Sequence, residues 1–160
     1  MLVVALIIGL AIAVVAVRLQ PDDRQILRDE ALRLSALLTQ ARDEAIASGS
    51  SLAWRGDPTG YGFLRRDANR LWAPFPNTDI FRRRDLRAPL ELSGVEISGR
   101  AAATENFLVF SPSGMVLPFR ITLTLNGERV AVRADYPTRI EIDSGDAVNR
   151  VTNINDAPQR

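Results

Sequence analysis

Apolar residues follow three successive patterns along this chain. Residues 1–17 carry no charged or polar side chain. As a helix rising ~1.5 Å per residue the run would extend about 25 Å, short for a bilayer core but within the range of spanning segments. Its lipid-facing positions would be Leu2, Val3, Val4, Leu6, Ile7, Ile8, Leu10, Ile12, Val14 and Val15. A removable signal peptide is the competing reading. It would need a basic start and a small-x-small site just ahead of polar sequence, whereas Ala11 and Ala13 are followed by further apolar residues to Val17. The run therefore predicts an uncleaved, single-pass anchor. Arg18 and Arg24 follow it with no basic flank ahead, so basic residues do not fix its orientation.

The second pattern is helical. Pro21 predicts a break after the anchor, and Asp22 and Asp23 suit a helix start, where carboxylates meet unpaired backbone amides. Over residues 24–48, Leu27, Ala31, Leu34, Leu38, Ala41 and Ala45 recur at spacings of four and three, which lays one apolar stripe along a helix. Gly49 suits a left-handed end cap. Such a stripe can form a coiled-coil seam or pack on the protein's own sheet. The many strand signals that follow favour the sheet.

After Ser50 the period becomes that of strands. Leu52-Ala53-Trp54 and Tyr61-Gly62-Phe63-Leu64 flank a Gly/Pro turn, and Pro74 and Pro76 keep the segment after Trp72 out of a sheet centre. Leu90-Glu91-Leu92 and Val95-Glu96-Ile97 predict two weak strands, and Phe107-Leu108-Val109-Phe110 a strand buried on both faces. The firmest local signal is Asn126-Gly127, the preferred pair for a two-residue hairpin turn. That turn sets the register: Leu123 opposite Val130, Ile121 opposite Val132, Phe119 opposite Ala134 and Leu117 opposite Tyr136. It also sets Arg120 against Arg133, a repulsion that calls for solvent or an acidic neighbour. Residues 139–143 offer a last strand, and residues 144–160 read as a polar tail. The organisation is thus an anchor over 1–20, an amphipathic helix over 21–49, a β-rich head over 50–143 and a tail over 144–160.

Composition narrows the chemistry. Of 160 residues 46% are apolar and 24% charged, as in an ordinary folded protein, and the net charge is only +1. There is no His and no Cys, which removes His-based acid–base catalysis, a Ser–His–Asp triad, thiol chemistry, disulfides and His/Cys metal sites. No catalytic site or cofactor is expected, so the sequence does not read as an enzyme. Arg82, Arg83, Arg84 and Arg87, flanked by Trp72, Phe75 and Phe81, could contact nucleic acid, but Asp79 and Asp85 interrupt the cluster and a solvated loop is the simpler expectation. Asp143 and Asp146 hint at a calcium loop but lack the ligand spacing of an EF-hand.

The layout as a whole resembles the type IV pilin-like superfamily, and within it the H-type minor pseudopilins of the type II secretion system (general secretion pathway protein H). Residues 1–11 are similar to the hydrophobic segment of that family, and residues 30–45 to its helix. The head resembles the family at Gly60, Tyr61 and Phe63, at Trp72 and Pro74, and at Gly114, Pro118 and Phe119. The resemblance implies an α+β, pilin-like fold, with a long N-terminal helix packed on an antiparallel β-sheet head. The family's cleavage motif, a Gly followed by Phe-Thr-Leu-Ile-Glu, would end just ahead of Met1. A longer precursor would supply it, together with the prepilin peptidase site and the N-terminal Phe that is methylated.

The resemblance further implies a structural subunit, anchored in the inner membrane of a Gram-negative bacterium with its head in the periplasm. It would join a pseudopilus, near the tip, that drives folded exoproteins through the outer-membrane secretin. Its partners would be other major and minor pseudopilins, the inner-membrane secretion platform and the exoproteins. A minor type IV pilin serving DNA uptake, with Arg82–Arg87 on DNA, is the alternative within the superfamily. A membrane-tethered periplasmic binding module is the alternative outside it.

Overall fold

The computed structural model describes residues 22–67, 69–102, 107–135 and 139–143. The anchor positions, Tyr136, Asp146 and the tail lie outside them. Among the described residues no helix is long and apolar enough to cross a membrane.

Helix α1 spans Asp23–Ser48. Asp22 caps it, its side chain accepting from the Arg24 N–H at 3.2 Å, and Gly49 ends it at φ 65° with its N–H on the Ile46 carbonyl. All six stripe positions are buried, and Leu37 joins them at 7% exposure. The buried face is broader than a single seam because α1 crosses two sheets, lying mainly on β9 and β10 and reaching β8, β1 and β7. Each fully buried Leu on that face contributes ~1.5–3 kcal/mol.

The antiparallel head divides into two sheets. Strands β1 (Leu52–Asp57), β2 (Gly60–Arg66), β3 (Trp72–Pro74), β4 (Arg84–Asp85) and β7 (Phe107–Phe110) form the first. Its order is β3-β2-β1-β7, and β4 shares the outer edge of β2 with β3. Strands β5 (Glu91–Ile97), β6 (Arg100–Ala101), β8 (Phe119–Leu125), β9 (Glu128–Asp135) and β10 (Arg139–Asp143) form the second, in the order β10-β9-β8-β5-β6. One core lies between the sheets and α1, joining Leu34 and Leu38 to Trp54, Tyr61 and Phe110 of the first sheet and to Ile121, Leu123 and Val132 of the second.

The β8–β9 hairpin has the expected register over Leu123↔Val130, Ile121↔Val132 and Phe119↔Ala134. Asn126 and Gly127 both take positive φ, at 49° and 89°. Arg120 does face Arg133, and β10 supplies the acid between them. The Asp143 carboxylate, only 8% exposed, lies 3.2 Å from one Arg120 nitrogen and 3.8 Å from one of Arg133.

Three expectations need correction. Among the described residues the ladder ends at Phe119, and Leu117, whose expected partner Tyr136 lies outside them, is 60% exposed and precedes the strand. Pro118 has no N–H to donate and its carbonyl accepts the Ser98 N–H at 2.7 Å, which turns the chain away toward β5. The two weak strands around residues 90–97 are one strand, irregular between Leu92 and Gly94, where the Ser93 hydroxyl bonds that of Thr124 at 2.6 Å. Finally, β7 is an edge strand: Leu108 and Phe110 enter the core, while Val109 is 42% exposed.

Candidate functional site

Strand β2 organises the most distinctive part of the head. Alternation sends Tyr61 and Phe63 into the core and leaves Gly60 and Gly62 on the opposite face. The buried Tyr61 hydroxyl donates to Glu30 Oε1 at 2.6 Å, and Arg33 holds the other Glu30 oxygen at 2.9 Å. This link ties the first sheet to α1. Burial, and then the Glu30 carboxylate, push the phenol's ionisation well above its ordinary range.

The folded chain therefore retains a proton that the unfolded chain releases above about pH 10. This contribution to stability is complete below that pH, and is lost at about 1.4 kcal/mol per pH unit above it. Tyr61→Phe should lower stability at neutral pH by about 1.5 kcal/mol and flatten the alkaline limb. Urea unfolding from pH 7 to 11 measures both, and an unchanged alkaline slope would rule out this role for Tyr61.

The arginine cluster is not a solvated loop. Arg84 and Asp85 pair with Tyr61 and Gly60 as β4, and this is possible because β2 presents glycine there. A Cβ on Gly60 would overlap the Arg84 carbonyl oxygen, and one on Gly62 would lie 3.1 Å from the Arg83 Cα. Arg83 is held by Asp57 at 2.7 Å, Asp85 at 3.1 Å and the Thr59 hydroxyl at 3.1 Å. Its hydrogen bonds, with that of Thr59, hold the Asp57 carboxyl well below the usual carboxylate range. Arg82 donates to the Asp79 carbonyl, Arg84 is half-buried and Arg87 is exposed. The cluster is thus built largely into the head and does not form a row of free guanidiniums.

Beside it lies a groove of about 520 Å³, lined by Arg55, Gly62, Leu64, Trp72, Pro74, Phe75, Asn77, Arg83 and Phe107 among others. Trp72 and Phe107 stack across its mouth, with centroids 6.3 Å apart and planes 12° from parallel. Arg66 lies over Trp72 at 5.1 Å and Arg65 over Phe75 at 5.5 Å. Arg65 and Arg66, adjacent on β2, sit on its opposite faces and do not line the groove, whose own arginines are Arg55 and Arg83. Phe75 instead leads inward through Phe81 to Phe63, by steps of 5.2 and 5.1 Å.

The family-matching positions do not converge on one site. Gly60 admits β4, Tyr61 and Phe63 fill the core, and Trp72 and Pro74 line the groove. Gly114 packs near Ile46 at the end of α1, its carbonyl accepting from Arg42 Nε at 3.1 Å; Phe119 is buried and Pro118 precedes it. Sequence reasoning missed Glu30, Arg55 and Phe107. Neighbouring positions gave no signal for them, because their partners come from strands distant in sequence. Asp143, suspected in a calcium loop, is engaged by Arg120 and Arg133.

Residues 30–145 match the family described as Type II transport protein GspH. Among solved structures, the minor pseudopilin EpsH of the Vibrio cholerae type 2 secretion system is 23% identical, with a TM-score of 0.62 over 77% of this chain and 98% of that one. A crystal structure of the same minor pseudopilin gives 20% identity and a TM-score of 0.62, over 74% and 95%. The solution structure of E. coli GspH gives 14% and 0.53, over 78% and 93%. No curated protein matches the sequence.

Proposed function

The chain belongs to the GspH family, the minor pseudopilins of type II secretion, and from that premise we propose that it is a non-enzymatic structural subunit of the pseudopilus, positioned near the tip. The observation that carries this reading is the extent of the family match, which takes in most of α1 and both sheets of the head. In this role residues 1–20 anchor the subunit in the inner membrane and later pack in the filament core, where Val, Leu and Ile exchange acyl contacts for one another. The head over 50–143 stands in the periplasm. Major and minor pseudopilins and the inner-membrane secretion platform are its partners, and folded exoproteins are what the assembly moves. Prepilin peptidase joins these partners if the full precursor carries the family's cleavage motif.

The DNA-uptake alternative is not favoured. Arg83, at the centre of the proposed contact, is occupied by Asp57 and Asp85. Deleting the coding sequence should cut exoprotein release at least tenfold, with folded exoprotein retained in the periplasm, and the full chain supplied in trans should restore it. Secretion at the parental level after deletion would refute the role.

A further inference from the structure

Charge is unevenly divided in this chain. Residues 50–90 hold eight arginines against four aspartates, a net +4 in a protein whose total is +1. Those aspartates are already engaged: Asp57 and Asp85 hold Arg83, Asp67 accepts from the Asn69 and Leu71 N–H groups, and Asp79 accepts from the Phe81 N–H. Arg55 is different. It lies exposed on the outward face of β1, with Gly62 and Phe107 as its cross-strand neighbours, and among the described residues no carboxylate pairs with it. Arg65 and Arg66, outside the groove lining, have only ring faces to rest on among the described residues and add to the positive charge of this sheet. An open groove with an aromatic rim and an unneutralised guanidinium is complementary to carboxylates carried beside an apolar side chain.

We propose that this groove docks an extended acidic segment from the head of a neighbouring pseudopilin. One carboxylate would sit on Arg55, and an apolar side chain against the Trp72–Phe107 pair. The proposal rests on the reading of the chain as a pseudopilus subunit. A protein segment fits better than nucleic acid. Trp72 and Phe107 stack on each other and Arg66 covers Trp72, which occupies ring faces that bases would need.

Two measurements on the full chain test this. In detergent, tryptophan fluorescence follows binding of a peptide with three glutamates around one phenylalanine, of its glutamine counterpart and of oligodeoxythymidine. The glutamate peptide should bind at least tenfold tighter than the glutamine peptide, Arg55→Glu should abolish that preference, and Arg55→Lys should keep part of it. Equal binding of the two peptides, no binding, or tighter binding of the oligonucleotide overturns the proposal.

In cells, a photocrosslinker at Asn77 should capture another pseudopilin. Capture of an exoprotein, capture of a second copy of this chain, or no adduct overturns it. Arg55 is exposed, so Arg55→Glu should melt like the parent, which separates a docking defect from misfolding. If deletion stops secretion while folded Arg55→Glu secretes normally, the groove proposal fails and the subunit role stands. If deletion has no effect, the role itself fails.

Discussion

Gly60→Val should destabilise the head by about 3 kcal/mol, at the upper end of what overpacking costs. The size follows from what the new side chain would meet. A Cβ at position 60 overlaps the carbonyl oxygen of Arg84 and lies 3.1 Å from the Cα of Asp85, and both are backbone atoms that no rotamer change can move. Strand β4 must then leave β2, taking with it the Gly60↔Asp85 and Tyr61↔Arg84 pairing. The Arg83–Asp57 contact would open with it, as would the cover over Phe81, now 4% exposed.

Gly60→Ala should act in the same direction with a smaller loss. Gly99→Ala is the control, because nothing lies within 4 Å of its Cβ and only the positive φ of 73° opposes it, at a cost of about 1 kcal/mol. Urea unfolding followed by circular dichroism measures all three. A Gly60→Val protein within about 0.5 kcal/mol of the parent would mean that β4 contributes nothing to the fold.

The same glycine shows where reading the sequence succeeds and where it stops. Asn126-Gly127 determines its hairpin because the constraint is local: two residues at positive φ set the register of the strands beside them. The stripe on α1 is legible for the same reason, although a single seam leaves out Leu37, which is buried only because α1 spans two sheets. Gly60 reads locally as part of a turn, whereas its reason lies 24 residues away in the backbone of Arg84. The groove is less legible still, since Trp72 and Phe107 meet only after β3, β2, β1 and β7 are side by side. The four-residue run of β7 looks fully buried because its composition is apolar throughout. Only the strand order reveals it as an edge with Val109 outside.

The other large effect is expected at Trp54, where replacement by alanine should cost about 4 kcal/mol. Trp54 has no exposed surface and occupies the middle of β1, hydrogen-bonded between β2 and β7. Its ring folds back over Gly56 toward Leu92 of the second sheet. A Cβ at Gly56 would lie 2.6 Å from the indole and 2.8 Å from the Leu92 side chain, so no slack exists there in the parent. Tyr61, 6.4 Å away between ring centroids, is bonded to Glu30 and is not free to move into the space. The cavity would therefore persist, and it would lie where both sheets meet the helix.

Trp54→Phe separates packing from polarity. It keeps most of the apolar volume and removes an indole N–H that has no hydrogen-bond partner among the described residues, so about 1–2 kcal/mol is the expected loss. Thermal and urea unfolding of the three proteins should rank parent, Trp54→Phe and Trp54→Ala in that order. The alanine protein should also restore exoprotein release in the deletion strain less well than Trp54→Phe, because less of it is folded and able to assemble. Should Trp54→Ala unfold within about 1 kcal/mol of the parent, the two sheets would not be joined through this ring.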